Sequence, residues 1–215
     1  MKQDIRWPKK GDDPFLVKHS KPTSSTWASL SWLARLRFDD SQLASAFKEC
    51  GDKIINDLQS QEIHKHADIY FIPIAYLYRH ALELKMKEII RLGLHLDLLQ
   101  DNKSLRKSLE EHSLYPLWNH VKKSATNSWP SSPKHELVAV ERIIQALHEI
   151  DKSGQNLRYT KDTNGKSTLS YLPDSVDLVH FKEILDGVFN LLNGCEDAFI
   201  DALETKRQME QDYQP

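Results

Sequence analysis

Two cysteines in 215 residues, Cys50 and Cys195, are too few for a disulfide framework or a four-thiolate metal site. Seven glycines and nine prolines leave little material for the many tight turns of a β-sandwich or barrel. The longest apolar runs fall far short of the roughly 18–20 residues that a membrane span needs. One-sided charge is missing too: 29 Lys and Arg stand against 31 Asp and Glu, a formal net charge of −2. Generic duplex-DNA binders carry a basic face strong enough to show in that total, so only a local basic groove stays open. Residues 1–21 are polar and rich in Pro and Lys, with no charged-then-apolar leader, and a cytoplasmic protein is expected. There is no Gly-rich phosphate loop and no Gly-x-Ser-x-Gly elbow, and no cofactor is expected.

What remains reads as helix. The spacing of apolar residues predicts an all-α bundle of about five to six helices around one central apolar helix. Residues 1–25 have no apolar period and read as a loosely ordered arm; residues 26–210 form the bundle and 211–215 a tail. Within the bundle, residues 27–37 suit a short helix through Trp27, Leu30, Leu33 and Leu36. Asp39-Asp40-Ser41 then supplies N-cap chemistry for a helix to about Gln61 with a face of Leu43, Phe47, Cys50, Ile54 and Leu58. Gly51 lies inside it at a cost of about 1 kcal/mol relative to Ala, which points to a close helix contact.

The central helix covers residues 76–91 and their flanks, with Asp68 as its cap and Gly93 as its stop. Pro73 suits its first turn and would kink it elsewhere. At about 100° per residue, its apolar side chains span a very wide arc. The remaining sector holds Tyr76, Arg79, His80, Glu83, Lys87 and Arg91, so it is expected to line a cleft or an interface. Further helices are expected over residues 112–125, from Pro133 through Ile150, and over residues 176–209. The last is acidic, with nine acidic against three basic residues from Asp177 onward. Between them, residues 151–175 form the long non-helical stretch, with a small hairpin expected around Asn164-Gly165 and residues 168–172 as one limb.

Three segments occur in an order that resembles the HEPN family of helical, nucleotide- and RNA-associated domains. Arg79-His80-Ala81-Leu82-Glu83-Leu84-Lys85-Met86-Lys87 is similar to the family's central helix, in which Glu and Lys stand four residues apart. His112-Ser113-Leu114-Tyr115-Pro116-Leu117 resembles its His-x-Leu-x-x-Leu element, and Leu157-Arg158-Tyr159-Thr160 its Arg-Tyr-Pro, with Thr160 in place of the proline. The resemblance spans about residues 68–203. It implies a prokaryotic or phage defence, toxin–antitoxin or stress role. It also implies a homodimer and RNA or nucleotide as ligand, with a cognate antitoxin or nucleotidyltransferase as protein partner. Nuclease members carry Arg, four to six residues, then His. Here Arg106–His112 and Arg142–His148 have that spacing.

In such a site an imidazole moves the proton of the 2′-hydroxyl while a guanidinium steadies the phosphate, without a metal. The catalytic candidates are therefore Arg142, His148 and His112, and the substrate-binding candidates Arg79, His80, Glu83, Arg158 and Tyr159. A bland reading stands beside each. Arg79 and Glu83 are four apart and can simply pair, and Arg142 and His148 can be an exposed Arg and a helix-end His. A non-catalytic interaction protein that docks a partner on the acidic last helix is the rival function. His64 and His66 lack the further ligands of a metal site, so none is expected. The five tryptophans, Trp7, Trp27, Trp32, Trp118 and Trp129, suit packing better than base stacking.

Overall fold

Asp39 begins the first helix by a reciprocal capping box: its carboxylate accepts the Gln42 N–H at 2.8 Å, and the Gln42 side chain accepts the Asp39 N–H at 3.3 Å. In the computed structural model, residues 38–60, 67–162 and 164–212 are described. The expected arm, the helix over residues 27–37, Trp7, Trp27, Trp32, His64 and His66 lie outside them. The chain divides at Phe38 into two units, and the account that follows concerns the second.

The described residues hold six α-helices and one 3₁₀ turn, with no β-strand among them. They are α1 (Asp40–Ser60), α2 (Ala67–His95), α3 (Lys103–Glu110), α4 (Leu114–Ser128), α5 (His135–Ile150) and α6 (Leu178–Asp212). α2 packs against α1, α4 and α6, and α4 in turn packs against α5. Its apolar side chains Ile74, Tyr78, Leu82, Met86, Ile89 and Ile90 are all fully buried, a pattern open only to a helix covered on several sides.

Close approach of α1 to α2 depends on Gly51. A Cβ there would stand 2.9 Å from the Tyr78 ring. The core face of α1 includes four of the five expected residues, Leu43, Phe47, Ile54 and Leu58, with Ala44, Gly51 and Ile55 buried beside them, while Cys50 is exposed. The α2 terminus also departs from expectation. Gly93 is not the stop but a buried point where a Cβ would meet Ser124 at 3.2 Å and Leu99 at 3.3 Å. The helix ends in a Schellman motif, with Leu98 N–H bonded to Gly93 C=O, Asp97 N–H to Leu94 C=O, and Asp97 at φ 59°. Pro73 falls inside α2, not in its first turn, and is tolerated on an exposed edge where the Ile69 carbonyl it leaves free can meet water.

α3 was not apparent in the sequence. Asn102 caps it through a 3.0 Å bond from Leu105 N–H, and only Leu105 and Ser108 are buried, too few to set a period. The segment after α5 corrects the expected hairpin. Lys161 and Ser167 form one isolated bridge around the Asn164-Gly165 turn, but Thr168–Tyr171 winds into the 3₁₀ turn instead of a strand. Leu157 from this segment packs with Phe71 and Ala75 of α2, which pins the loop over the start of the central helix.

A buried ion pair ties α2 to α6. Lys85 donates to Glu196 and to Ser41 (2.9 Å), and Ser41 donates to Glu196 at 3.0 Å. Substituting Lys85→Met leaves the Glu196 carboxylate buried without its cation and is expected to lose about 3–5 kcal/mol in urea unfolding. The double variant Lys85→Met/Glu196→Leu should recover most of that loss. An equal loss in both would contradict a desolvated pair.

Candidate functional site

The second buried polar cluster of α2 arises from residues four apart on one helical stripe: Arg79, Glu83 and Lys87. Arg79 and Glu83 are each only 2% exposed, so both charges must be met inside the protein. Glu83 accepts from Arg79 (3.3 Å), from Lys87 (2.9 Å) and from the Nδ1 side of His112 (2.8 Å). Arg79 turns its other N–H groups to backbone carbonyls, those of His112 and Asp151.

Asp151, directly after α5, is completely buried. Its Oδ1 accepts the Asn156 N–H at 2.9 Å and so shapes the loop. Its Oδ2 lies 3.2 Å from Arg79 Nε but receives no aligned hydrogen bond, so that contact is Coulombic, and the directional bonds of Arg79 go to carbonyls. Two cations, Arg79 and Lys87, therefore balance two carboxylates, Glu83 and Asp151.

Gly154 closes the arrangement. It has φ +76°, and a Cβ there would stand 2.9 Å from His112 Cβ and 3.2 Å from an Arg79 nitrogen. Its carbonyl accepts Arg158 Nε at 2.6 Å, and the Arg158 guanidinium lies 5.9 Å from the centre of the Tyr76 ring. Tyr76 stacks on His80 at 5.8 Å, and His80 meets Phe47 edge-on at 4.6 Å. Burial lowers the His80 pKa, and the cations Arg158 and Arg79 add to that against Glu83.

At the mouth, the His112 side chain is 50% exposed. Its Nδ1 faces Glu83, which leaves Nε2 with no partner among the described residues. An imidazole held by a buried carboxylate and open at its far nitrogen can take and return a proton. An exposed guanidinium in the same cluster can meet a phosphate. Tyr159 follows with its side chain largely in solvent, 60% exposed, and its carbonyl bonded to Thr168.

The structure thus gathers Arg79, His80, Glu83, His112 and Arg158, but not the two Arg…His pairs. Six helical positions turn a side chain through about 600°, which sets Arg142 and His148 about 120° apart. Arg142 faces the groove between α5 and α6, whereas His148 stacks on Tyr115 of α4 at 6.1 Å. His148 Nδ1 is enclosed without a partner, and burial lowers its pKa. Arg106 is held in a bidentate pair with Asp101 at 2.7 Å, away from His112. Asp151 and Gly154 escaped sequence reasoning: a lone acid after a helix and a loop glycine follow no spacing rule. Among the described residues, no group of three His, Cys, Asp or Glu side chains is placed to hold a metal ion. No helix among them is long and apolar enough to cross a membrane.

Comparison with protein-family models, with curated proteins and with solved structures gives no match to this chain.

Burial alone would raise the Glu83 pKa, but the hydrogen bonds from Lys87 and His112 outweigh it and hold the carboxyl below its ordinary range. A carboxyl depressed in the folded state stabilises above its unfolded pKa, about 4.3, and that contribution is lost as pH falls through the folded value. Glu83→Gln should therefore be clearly less stable than wild type at pH 7, and the gap should narrow below about pH 4.3. Denaturant unfolding across pH 3–7, an experimental range of roughly the carboxyl titration, checks this. A gap independent of pH would show that the carboxylate charge is not what the cluster uses.

Proposed function

We propose that this chain is a HEPN-like, RNA- or nucleotide-associated protein of prokaryotic or phage defence, or of a toxin–antitoxin system, that cleaves RNA without a metal. One observation carries the reading: the half-exposed His112 imidazole is oriented by buried Glu83, with Nε2 open and the exposed Arg158 in the same cluster.

In this reading Nε2 of His112 accepts the proton of a ribose 2′-hydroxyl. The freed oxygen attacks the adjacent phosphorus, the bond to the 5′-oxygen breaks, and a proton is returned to that leaving oxygen. The products are a 2′,3′-cyclic phosphate and a 5′-hydroxyl. Arg158 meets the phosphate oxygens on which charge develops, and the exposed Tyr159 offers a ring face to the neighbouring base. Glu83 and Arg79 are positioning residues: they hold His112 from inside and do not touch substrate. The HEPN likeness further suggests a cytoplasmic homodimer whose two copies of His112 share one cleft, with an antitoxin or nucleotidyltransferase as partner.

The test is incubation of the purified full chain with structured RNA in excess EDTA. Wild type should cleave it, His112→Ala should lose about 10²-fold or more, and His148→Ala should stay near wild type. Intact RNA with wild type, or cleavage indifferent to His112→Ala, would overturn the nuclease reading.

A second reading is favoured by the closure of Arg79 and Glu83 inside the protein, which a purely structural network would also show. The chain is then a non-catalytic interaction protein. Its docking element is the exposed last stretch of α6, with Asp201, Glu204, Glu210 and Asp212 against Lys206 and Arg207. Intact RNA in the same assay, with a basic partner retained by wild type and lost on charge reversal of Glu204 and Glu210, is its expected outcome.

A further inference from the structure

α5 has a second face, turned away from Tyr115, that the His112 site does not use. Between it and the start of α6 lies an open recess of about 470 Å³. That volume falls within the roughly 300–1,000 Å³ of small-molecule sites. Its wall is almost wholly apolar, with Phe71, Ile143, Leu147, Val176, Phe181 and Ile184 among the lining side chains. Water there finds few hydrogen-bonding partners, so an apolar occupant gains by displacing it.

Four polar residues, Arg142, Ser175, Asp177 and His180, line the recess, and they are not equivalent. Arg142 lines the recess and has neither an ion pair nor a hydrogen bond with its side chain among the described residues. Asp177 also lines the recess, and its Oδ1 accepts the N–H groups of Val179 (2.9 Å) and His180 (3.1 Å) at the start of α6. The exposed imidazole of His180 also lines the recess. An uncommitted guanidinium beside an apolar wall calls for an anion attached to an apolar body.

A second recess of about 230 Å³ shares Phe71, Pro173, Ser175 and Val176 with the first. It carries Asp68 and Asp174 and no basic side chain, so an anionic head is disfavoured there and favoured at Arg142. The charges thus give the occupant a direction.

We infer that the recess between α5 and α6 binds a single-chain amphipathic carboxylate, its chain against Ile143, Leu147 and Phe181 and its head on Arg142. This site is separate from the His112 cluster and does not depend on how that cluster acts. Arg142 is here a ligand-binding residue and not a catalytic one.

Decanoate, decanol and decylammonium, each below its micellar concentration, are the probes. The full chain is titrated with each by calorimetry, and methyl NMR shifts of the wild type locate the contact. Decanoate should bind saturably, at least about tenfold tighter than the other two, as one charge-assisted contact allows. It should shift the methyls of Ile143, Leu147, Val176 and Ile184. Arg142→Gln should erase the preference for decanoate, and Ala146→Trp, at an exposed lining position, should abolish binding of all three. No saturable binding, equal affinity for the three probes in wild type, or methyl shifts elsewhere would each overturn the inference. The wild-type shifts decide the matter even where a variant fails to fold. Decanoate titrating only alongside anionic phospholipid vesicles, with no binding in free solution, would overturn it as well.

Discussion

The burial of opposite charges on one helix is the constraint from which the rest of the arrangement follows. Arg79 and Glu83 lie on α2, a helix surrounded by α1, α4 and α6, and both are enclosed. Charges in that position tolerate no gap in their partners. The carbonyl of His112, the carbonyl and carboxylate of Asp151 and the ammonium of Lys87 meet them. The start of α4, the end of α5 and the loop beyond are thereby brought to one place on α2. A buried ion pair adds little net stability compared with a well-packed apolar alternative. Its value here lies in position: it fixes where the His112 ring stands and which of its nitrogens faces out.

Much of the bundle was legible because apolar periodicity survives in long helices. α2, α4, α5 and α6 lie within a few residues of their expected bounds, and the Asp39 cap occurs where the chemistry requires it. The failures share a physical cause: they are settled by neighbours and not by the local pattern. Cys50 is exposed because the Gly51–Tyr78 contact chooses which side of α1 faces inward. Asp97, a residue with a side chain, takes the left-handed backbone expected of a glycine, since the Schellman hydrogen bonds hold it there.

The site divides the same way. Arg79, Glu83, His112 and Arg158 stood out as polar residues at fixed places on or beside an apolar helix, and the fold does gather them. Asp151 and Gly154 became visible only in three dimensions, since one is a lone acid and the other a loop glycine. Six residues are not a whole number of helical turns, so Arg142 and His148 look to different sides of α5. The same offset makes α5 a two-sided element, one face toward the Tyr115 ring and the other forming a wall of the apolar recess.

The polar ties of α2 also bear on the order in which the chain assembles. Arg79 and Asp151 are 72 residues apart, and Lys85 and Glu196 are 111 apart. Closing such loops is entropically unfavourable, and the charges gain most from one another only once apolar walls have removed the water between them. Association of the helices by their apolar faces is therefore expected first, with the ion pairs closing afterward. Contacts that form after the rate-limiting barrier slow unfolding more than they speed folding. These buried charges thus act as late latches, which lengthen the life of the native state without hurrying its formation.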